Sequence, residues 1–301
     1  MDSIVITREP AKLAVCDTVV DVGGVFDPEK KRFDHHQKTF TDTFHTLRPE
    51  KPWTIKLSSA GLIYVHYGRD IIQKLLLQEN ITNERLTDIL FDKMYDSFVQ
   101  EIDAIDNGIN IGENMKYKIN TNLSARVDYF NPKWNDENQD EEGGFRQAMN
   151  MVGKEFLDKF NYYVKCWWPA RELVENAVAN RHTVGESDSI IIFDRSVPWR
   201  NHLSDIEYEQ NLGTTIKYVL YPDKSKTWRI QAVALNETSF ESRLPLPAEW
   251  CGLRDEVLSV KCGISDCIFV HANGFIGGNK TYDGALTMAR KSLELGDEKK
   301  L

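Results

Sequence analysis

The sequence predicts a two-domain α/β protein: a first domain built on a parallel sheet, over residues 1–182, and a smaller α/β domain over residues 189–301. Three observations predict it. The β-branched run of Val19, Val20 and Val22 suits a strand covered on both faces, and before it stand a strand at residues 3–7 and a short helix over 9–14, the spacing of a β-α-β unit. Residues 84–107 carry the clearest helical periodicity in the chain. After a linker-like stretch at 182–189 (HTVGESDS), the pattern changes to strands at 189–193, 216–221 and 227–235.

Composition narrows the function. With 301 residues and 41% hydrophobic content, the chain can bury a sizeable core. No apolar stretch approaches the roughly 20 residues needed to cross a bilayer, and the opening MDSIVITREPAKLA is neither a signal peptide nor an arginine-rich transit peptide. The five cysteines (Cys16, Cys166, Cys251, Cys262, Cys267) are scattered, and Cys262 and Cys267 lack a second pair to complete a zinc site. They read as reduced thiols of an intracellular protein. A net charge of −9, from 37 basic and 46 acidic residues, argues against a broad cationic surface for nucleic acid. Polyanion binding would be confined to a cleft in which divalent ions and a few arginines supply positive charge.

Within the stretch VVDVGGVFDPEKKRFDHHQ, a carboxylate, Asp21, interrupts an apolar strand, where it is costly without a partner. Asp27-Pro28-Glu29-Lys30 is turn chemistry, and it folds Asp34-His35-His36 back towards Asp21. Singly, these residues read as a turn cap and surface histidines. Together, carboxylate and neutral imidazole suit a divalent ion such as Mn²⁺, Mg²⁺ or Zn²⁺.

Residues 38–57, with Pro49 and Pro52, read as a loop over that site. Ser58-Ser59 precedes a helix running to about residue 77; Ser59 is either a plain capping residue or part of a phosphate-holding helix N-terminus. In the helix over 84–107, Leu90, Met94, Phe98 and Ile102 form one row and Phe91, Tyr95 and Val99 the next. Continuing each row by four carries Asp106 and Asp103 to the inward side of the helix end. Two acids at a helix C-terminus oppose its dipole, which a cation would relieve.

Residues 111–142 read as largely irregular, with Arg126 a surface residue. A long helical region over 144–181 breaks at Pro169, and its stripe of Phe156, Phe160, Tyr163 and Trp167 reads as core before base-stacking surface. In the strand at 227–235, alternation predicts one buried face. HANGFIGGN, residues 271–279, reads as strand, glycine turn and helix start, with Gly277-Gly278 either a tight turn or an anion cradle. Arg243, flanked by Pro245 and Pro247, could pair with Glu241 or Asp255 or grip a phosphate.

VVDVGG followed by DHH resembles the DHH phosphoesterase superfamily, and KPWTIKLSSAGLIYVHYG, DKMYDSFVQEIDAIDNGI, SRLPLPAEWCGLRDE and FVHANGFIGG resemble the MYG (melanocyte-proliferating-gene-type) family of metal-dependent exonucleases over nearly the whole length. The resemblance implies a DHH-type phosphoesterase domain followed by a substrate-binding domain, Mn²⁺ or Mg²⁺ as cofactor, and 3′–5′ hydrolysis of RNA or another single-stranded nucleic acid in the nucleus and mitochondrion. It implies metal ligation by Asp21, Asp34, His35 and Asp106, and catalytic support from His36 and Asp103. Ser59, Arg243, His271, Gly277 and Gly278 would hold the substrate. The superfamily carries an earlier histidine-and-aspartate motif, whereas the first histidine here is His35. The expectation is therefore that activity belongs to a longer chain, with this one binding metal weakly or singly. A pyrophosphatase-like hydrolase and a non-catalytic binding module stay open as alternatives.

Overall fold

The computed structural model describes residues 4–113, 115–184, 188–236 and 239–298, with side chains described as far as Gly296. It is mixed α/β, with two mixed sheets. The chain divides into two compact units, Met1–Tyr163 and Val164–Leu301.

In the first unit, β1 (Val19–Val20) lies parallel to β3 (Arg32–Phe33), which pairs antiparallel with β2 (Phe26–Asp27) in the order β1-β3-β2. Among the described residues, the expected parallel β-α-β sheet does not form. Residues 4–9 make no strand, Ser3 lies outside the described residues, and α1 (Pro10–Ala14) buries nothing. Val20 is 42% exposed against 4% for Val19, so β1 is covered on one face only. The hairpin between β2 and β3 does form, because Asp27 Oδ1 accepts from the Lys30 N–H (3.2 Å) and Asp27 pairs with Lys30 Nζ (2.8 Å). It sets β3 beside β1 and so delivers the residues after Phe33 next to Asp21.

The segment expected as loop contains α2 (Phe44–Leu47), started by reciprocal capping between Thr43 and Thr46. That cap drives Phe44, wholly buried, against Trp53 and Tyr95. Then come α3 (Ser59–Gln78), capped by Ser58, and α4 (Glu84–Met94), capped by Asn83. A π-helical turn (Tyr95–Val99) continues α4 into α5 (Gln100–Asp106). The wide turn changes which row stays inside. Tyr95, Val99 and Asp103 are buried, while Phe98 and Ile102, due inside by four-residue spacing, are only half-buried. The stretch expected as irregular holds α6 (Leu123–Asp128), and α7 (Glu141–Tyr162) closes the unit. Arg126 pairs with Glu155 of α7, and Phe156 meets Phe98 edge-on at 5.6 Å. Phe160 of the aromatic stripe is core.

A second π turn (Tyr163–Trp167) follows α7, and α8 (Ala170–Ala179) begins after Pro169. The second unit's sheet runs β4 (Ile190–Ile192), β5 (Tyr218–Pro222), β6 (Trp228–Ala232), β8 (Ile276–Asn279), β7 (Cys267–Val270); only β4 and β5 are parallel. Residues 185–187 of the linker stretch lie outside the described residues. Along β5, Tyr218 and Leu220 join one core with α10 (Asp255–Cys262) and α11 (Tyr282–Glu298). Val219 joins the other, with α8 and α9 (Arg200–Glu209). Period-two alternation thus feeds two helical layers. Gln231 is buried and accepts from the Tyr221 hydroxyl at 2.8 Å, so β6 is covered on both faces instead of one. Among the described residues, no helix is long and apolar enough to cross a membrane.

Candidate metal centre

The site begins where β1 ends. Asp21 has φ +67°, a left-handed conformation that aspartate tolerates better than most residues. Its N–H continues the ladder to Phe33 O at 3.0 Å. Gly23 (φ +95°) and Gly24 (φ +68°) then turn the chain, and the Gly24 N–H donates to Asp34 Oδ2 at 2.7 Å. The other oxygen of Asp34 accepts from the His36 N–H at 3.0 Å and from His36 Nδ1 at 2.7 Å. Burial alone would raise the Asp34 carboxyl, but the Gly24 and His36 donors outweigh it and hold the group below its ordinary range. Both Asp34 oxygens are therefore committed to protein donors. The bond at Nδ1 fixes the His36 tautomer and leaves Nε2 as the lone-pair nitrogen.

His35 is 3% exposed, and it sits over an aromatic cluster in which Phe40 is 6.4 Å away, edge-on, and Phe26 and Phe33 pack with His66. Nε2 of His35 lies 2.9 Å from Asp106 Oδ2 and 3.8 Å from Asp21 Oδ1. Despite that proximity, neither ring nitrogen has a hydrogen-bond partner of acceptable geometry. A buried imidazole whose nitrogens are unpaired is costly, and the usual remedies are a donor, a water or an ion. One ligand atom each from Asp21, His35 and His36 lie within 4.8 Å of one another, and Asp106 adjoins the group through His35. Two imidazoles and carboxylates around a shared point suit a borderline divalent cation.

Asp103 sits elsewhere. It is wholly buried, with Oδ1 accepting from the Ser58 N–H (2.9 Å) and hydroxyl (2.7 Å) and Oδ2 from the Tyr95 hydroxyl (2.8 Å). Burial pushes its carboxyl up, with Ser58, Tyr95 and Gly61 opposing. One turn later, Asn107 donates to Lys56 O at 2.9 Å. The end of α5 is thus riveted to the start of α3, which places Asp106 beside His35. Sequence reading missed Ser58 and Tyr95 as partners of Asp103; the signal was that Tyr95 shares its helical row.

Ser58, not Ser59, caps α3; Ser59 is buried, and its hydroxyl has no partner. In the second unit, HANGFIGGN is a hairpin, not a turn into a helix. His271 opens the turn after β7, while Gly277 and Gly278 lie inside the sheet in β8, neither with positive φ. A Cβ at Gly277 would sit 3.0 Å from Leu246 Cδ1 and 3.1 Å from Phe269 O; one at Gly278 would sit 2.7 Å from Arg229 Nη1. These glycines make room for side chains that cross the strand. Asn279 is buried and binds Ser265 O and Thr281. His271 is exposed, its ring 4.6 Å from that of Phe275. Arg243 pairs with Glu207, rather than Glu241 or Asp255, through two contacts of 2.7 Å, and also donates to Ala234 O and Ile216 O.

Fold and site together define an α/β protein with a candidate Asp/His metal centre. The family model MYG1_exonuc, described as an uncharacterised protein family (UPF0160), matches residues 1–293. MYG1 exonuclease of Rattus norvegicus is 50% identical over 294 residues, covering 96% of this chain and 76% of its own length; that of Homo sapiens is 50% identical, with 96% and 77% covered. MYG1 protein of Dictyostelium discoideum is 47% identical over 295 residues, with 96% and 87% covered. No solved structure matches. The chain belongs to the MYG1 family, a family of enzymes whose mammalian members are named exonucleases.

Proposed function

We propose that the protein is a DHH-type phosphoesterase that hydrolyses phosphodiester bonds with a divalent ion, Mn²⁺ or Mg²⁺, and trims single-stranded RNA from its 3′ end in the nucleus and mitochondrion. The observation that carries it is the buried His35, both ring nitrogens unpaired, flanked by Asp21, His36 and Asp106. Asp21, His35 and His36 would hold the ion, with Asp106 completing the set from α5. When bound there, the ion supplies Lewis acidity and a water acidic enough to act as a nucleophile near neutral pH.

The chain's own residues do the arranging. Asp34 keeps His36 in one tautomer and aims Nε2 away from itself. The left-handed Asp21 turns its carboxylate off the strand towards His35. Asp103 holds α5 in register against α3. The donor set fits one ion better than two, because a divalent ion takes about six ligands and these residues supply three or four. Of the five expected substrate contacts only His271 is exposed; Ser59 is buried, and Arg243, Gly277 and Gly278 act through packing.

The test is release of nucleotides from end-labelled single-stranded RNA with Mn²⁺, expected in the parent chain and lost in Asp21→Asn. Turnover of pyrophosphate with RNA untouched would move the reading to a small-phosphate hydrolase. Binding without cleavage at high protein concentration would make it a non-catalytic module. Titration with Mn²⁺ should find one tight ion per chain, and two tight sites would refute the single-ion centre.

A further inference from the structure

A second concavity lies wholly within the second unit, between α9 and the chain that continues β6 past Ala232, with a volume of about 570 Å³. That is the size of pocket that encloses one small ligand and not a polymer. Leu235, 47% exposed, gives it an apolar wall over the buried Leu203 and Val233, and the Glu207–Arg243 pair lies along it. Both members of that pair are under a tenth exposed, and each glutamate oxygen takes a guanidinium nitrogen at 2.7 Å, so its charges cancel locally.

What is left uncancelled is Arg200, at the first position of α9. Among the described lining residues, two arginines against one glutamate leave a net charge of +1, in a chain whose total is −9. Arg200 is exposed and rests over the Trp199 ring at 5.6 Å; among the described residues no carboxylate pairs with it. Tyr208, two turns further along α9 and 86% exposed, lines the same cavity. An apolar wall, an exposed aromatic ring and one free guanidinium at the mouth fit a ligand with a flat heterocycle and a single anionic group.

We propose that this pocket binds a free nucleoside 5′-monophosphate, its base against Leu235 and Tyr208 and its phosphate at Arg200. The inference rests on the pocket alone and not on the metal centre, so either can fail without the other.

The experiment is calorimetric titration of the full chain with AMP, GMP, CMP and UMP in EDTA, with adenosine and a short single-stranded oligonucleotide as further arms. At least one monophosphate should bind saturably, and adenosine should bind at least tenfold more weakly than AMP. Arg200→Glu should weaken the monophosphate at least tenfold while leaving adenosine unchanged, and Tyr208→Ala should weaken both. Both side chains are exposed, and melting curves should match the parent's. No binding by any monophosphate overturns the proposal, as does binding indifferent to both substitutions. Binding lost in Asp21→Asn and kept in Arg200→Glu would put the nucleotide at the metal centre, and an oligonucleotide that binds tighter through Arg200 would put a strand end in the pocket; either result overturns it.

Discussion

Nε2 of His35 stands 2.9 Å from Oδ2 of Asp106, yet the two do not form a hydrogen bond. One residue follows a two-residue strand and the other ends a helix, and the contact exists because Asp103 and Asn107 pin that helix end to residues 56–58. Two groups so close without bonding are what a shared third partner would leave. Removing the carboxylates should therefore cost metal and little else. Asp21→Asn and Asp106→Asn are each expected to weaken Mn²⁺ binding at least tenfold in calorimetric titration. Both side chains are well exposed, and thermal stability without metal should stay within about 0.5 kcal/mol of the parent, as for surface substitutions generally. Unchanged affinity in both variants would remove these carboxylates from the centre.

Asp34 should behave differently, because it binds protein donors on both oxygens. Asp34→Ala takes a charged acceptor away from the N–H groups of Gly24 and His36, both in exposed residues that water can reach, at a cost of about 1–2 kcal/mol. It also frees the His36 ring to rotate, which should lower metal affinity by roughly 10- to 100-fold, the usual effect of removing a carboxylate that orients a ligand histidine. Urea unfolding and Mn²⁺ titration on the same variant measure the two losses. Loss of affinity with no loss of stability would mean that Asp34 binds metal directly.

Some of this was legible in the sequence. Asp27-Pro28 marked the hairpin that returns residues 34–36 to Asp21, and the apolar rows of α4 carried Asp103 and Asp106 to one helix end. The row through Tyr95 and Val99 put Asp103 inside, where it lies, but the rows did not show that a π turn would leave Asp106 half exposed, because an inserted residue leaves no mark on spacing. Nor could composition separate a glycine at a turn from one inside a strand: Gly277 and Gly278 are needed for what lies across them, Leu246 and Arg229, which are distant in sequence. The opening apolar run looked like a strand, but Ile4, Val5 and Ile6 are about half exposed and no neighbouring strand pairs with them among the described residues.

Gly277→Ala tests the packing role. The added methyl would meet the Phe269 carbonyl at 3.1 Å and the Val270 side chain at 3.2 Å, in the interior of a five-stranded sheet. Overpacking of this kind costs about 1–3 kcal/mol and exceeds the smaller entropic gain from replacing glycine. Denaturant unfolding should show the loss, and Mn²⁺ affinity should be unaffected. A variant as stable as the parent that fails to bind RNA would instead make Gly277 a substrate contact.

The buried Asp103 gives a pH signature. Burial raises its folded-state pKa above the unfolded value, so its contribution favours folding in acid and is lost as pH rises from the ordinary carboxylate range through the raised folded value. Asp103→Asn removes the titration while keeping the shape: the amide oxygen can accept from Ser58, and the NH₂ can donate to the Tyr95 oxygen. Measured against the parent, the variant should be equal or slightly weaker below about pH 4, where the parent's carboxyl is protonated in both states. It should then gain with rising pH by about 1.4 kcal/mol for each unit of the parent's shift, and level off once Asp103 is ionised in the folded protein. Asp34, whose shift runs the other way, is present in both chains, so its acid-side loss cancels in the difference. Unfolding free energies at several pH values between 3 and 8 provide the check. A difference that stays flat would mean Asp103 titrates alike folded and unfolded, and a difference that moves against the variant would mean its three donors hold it ionised despite burial.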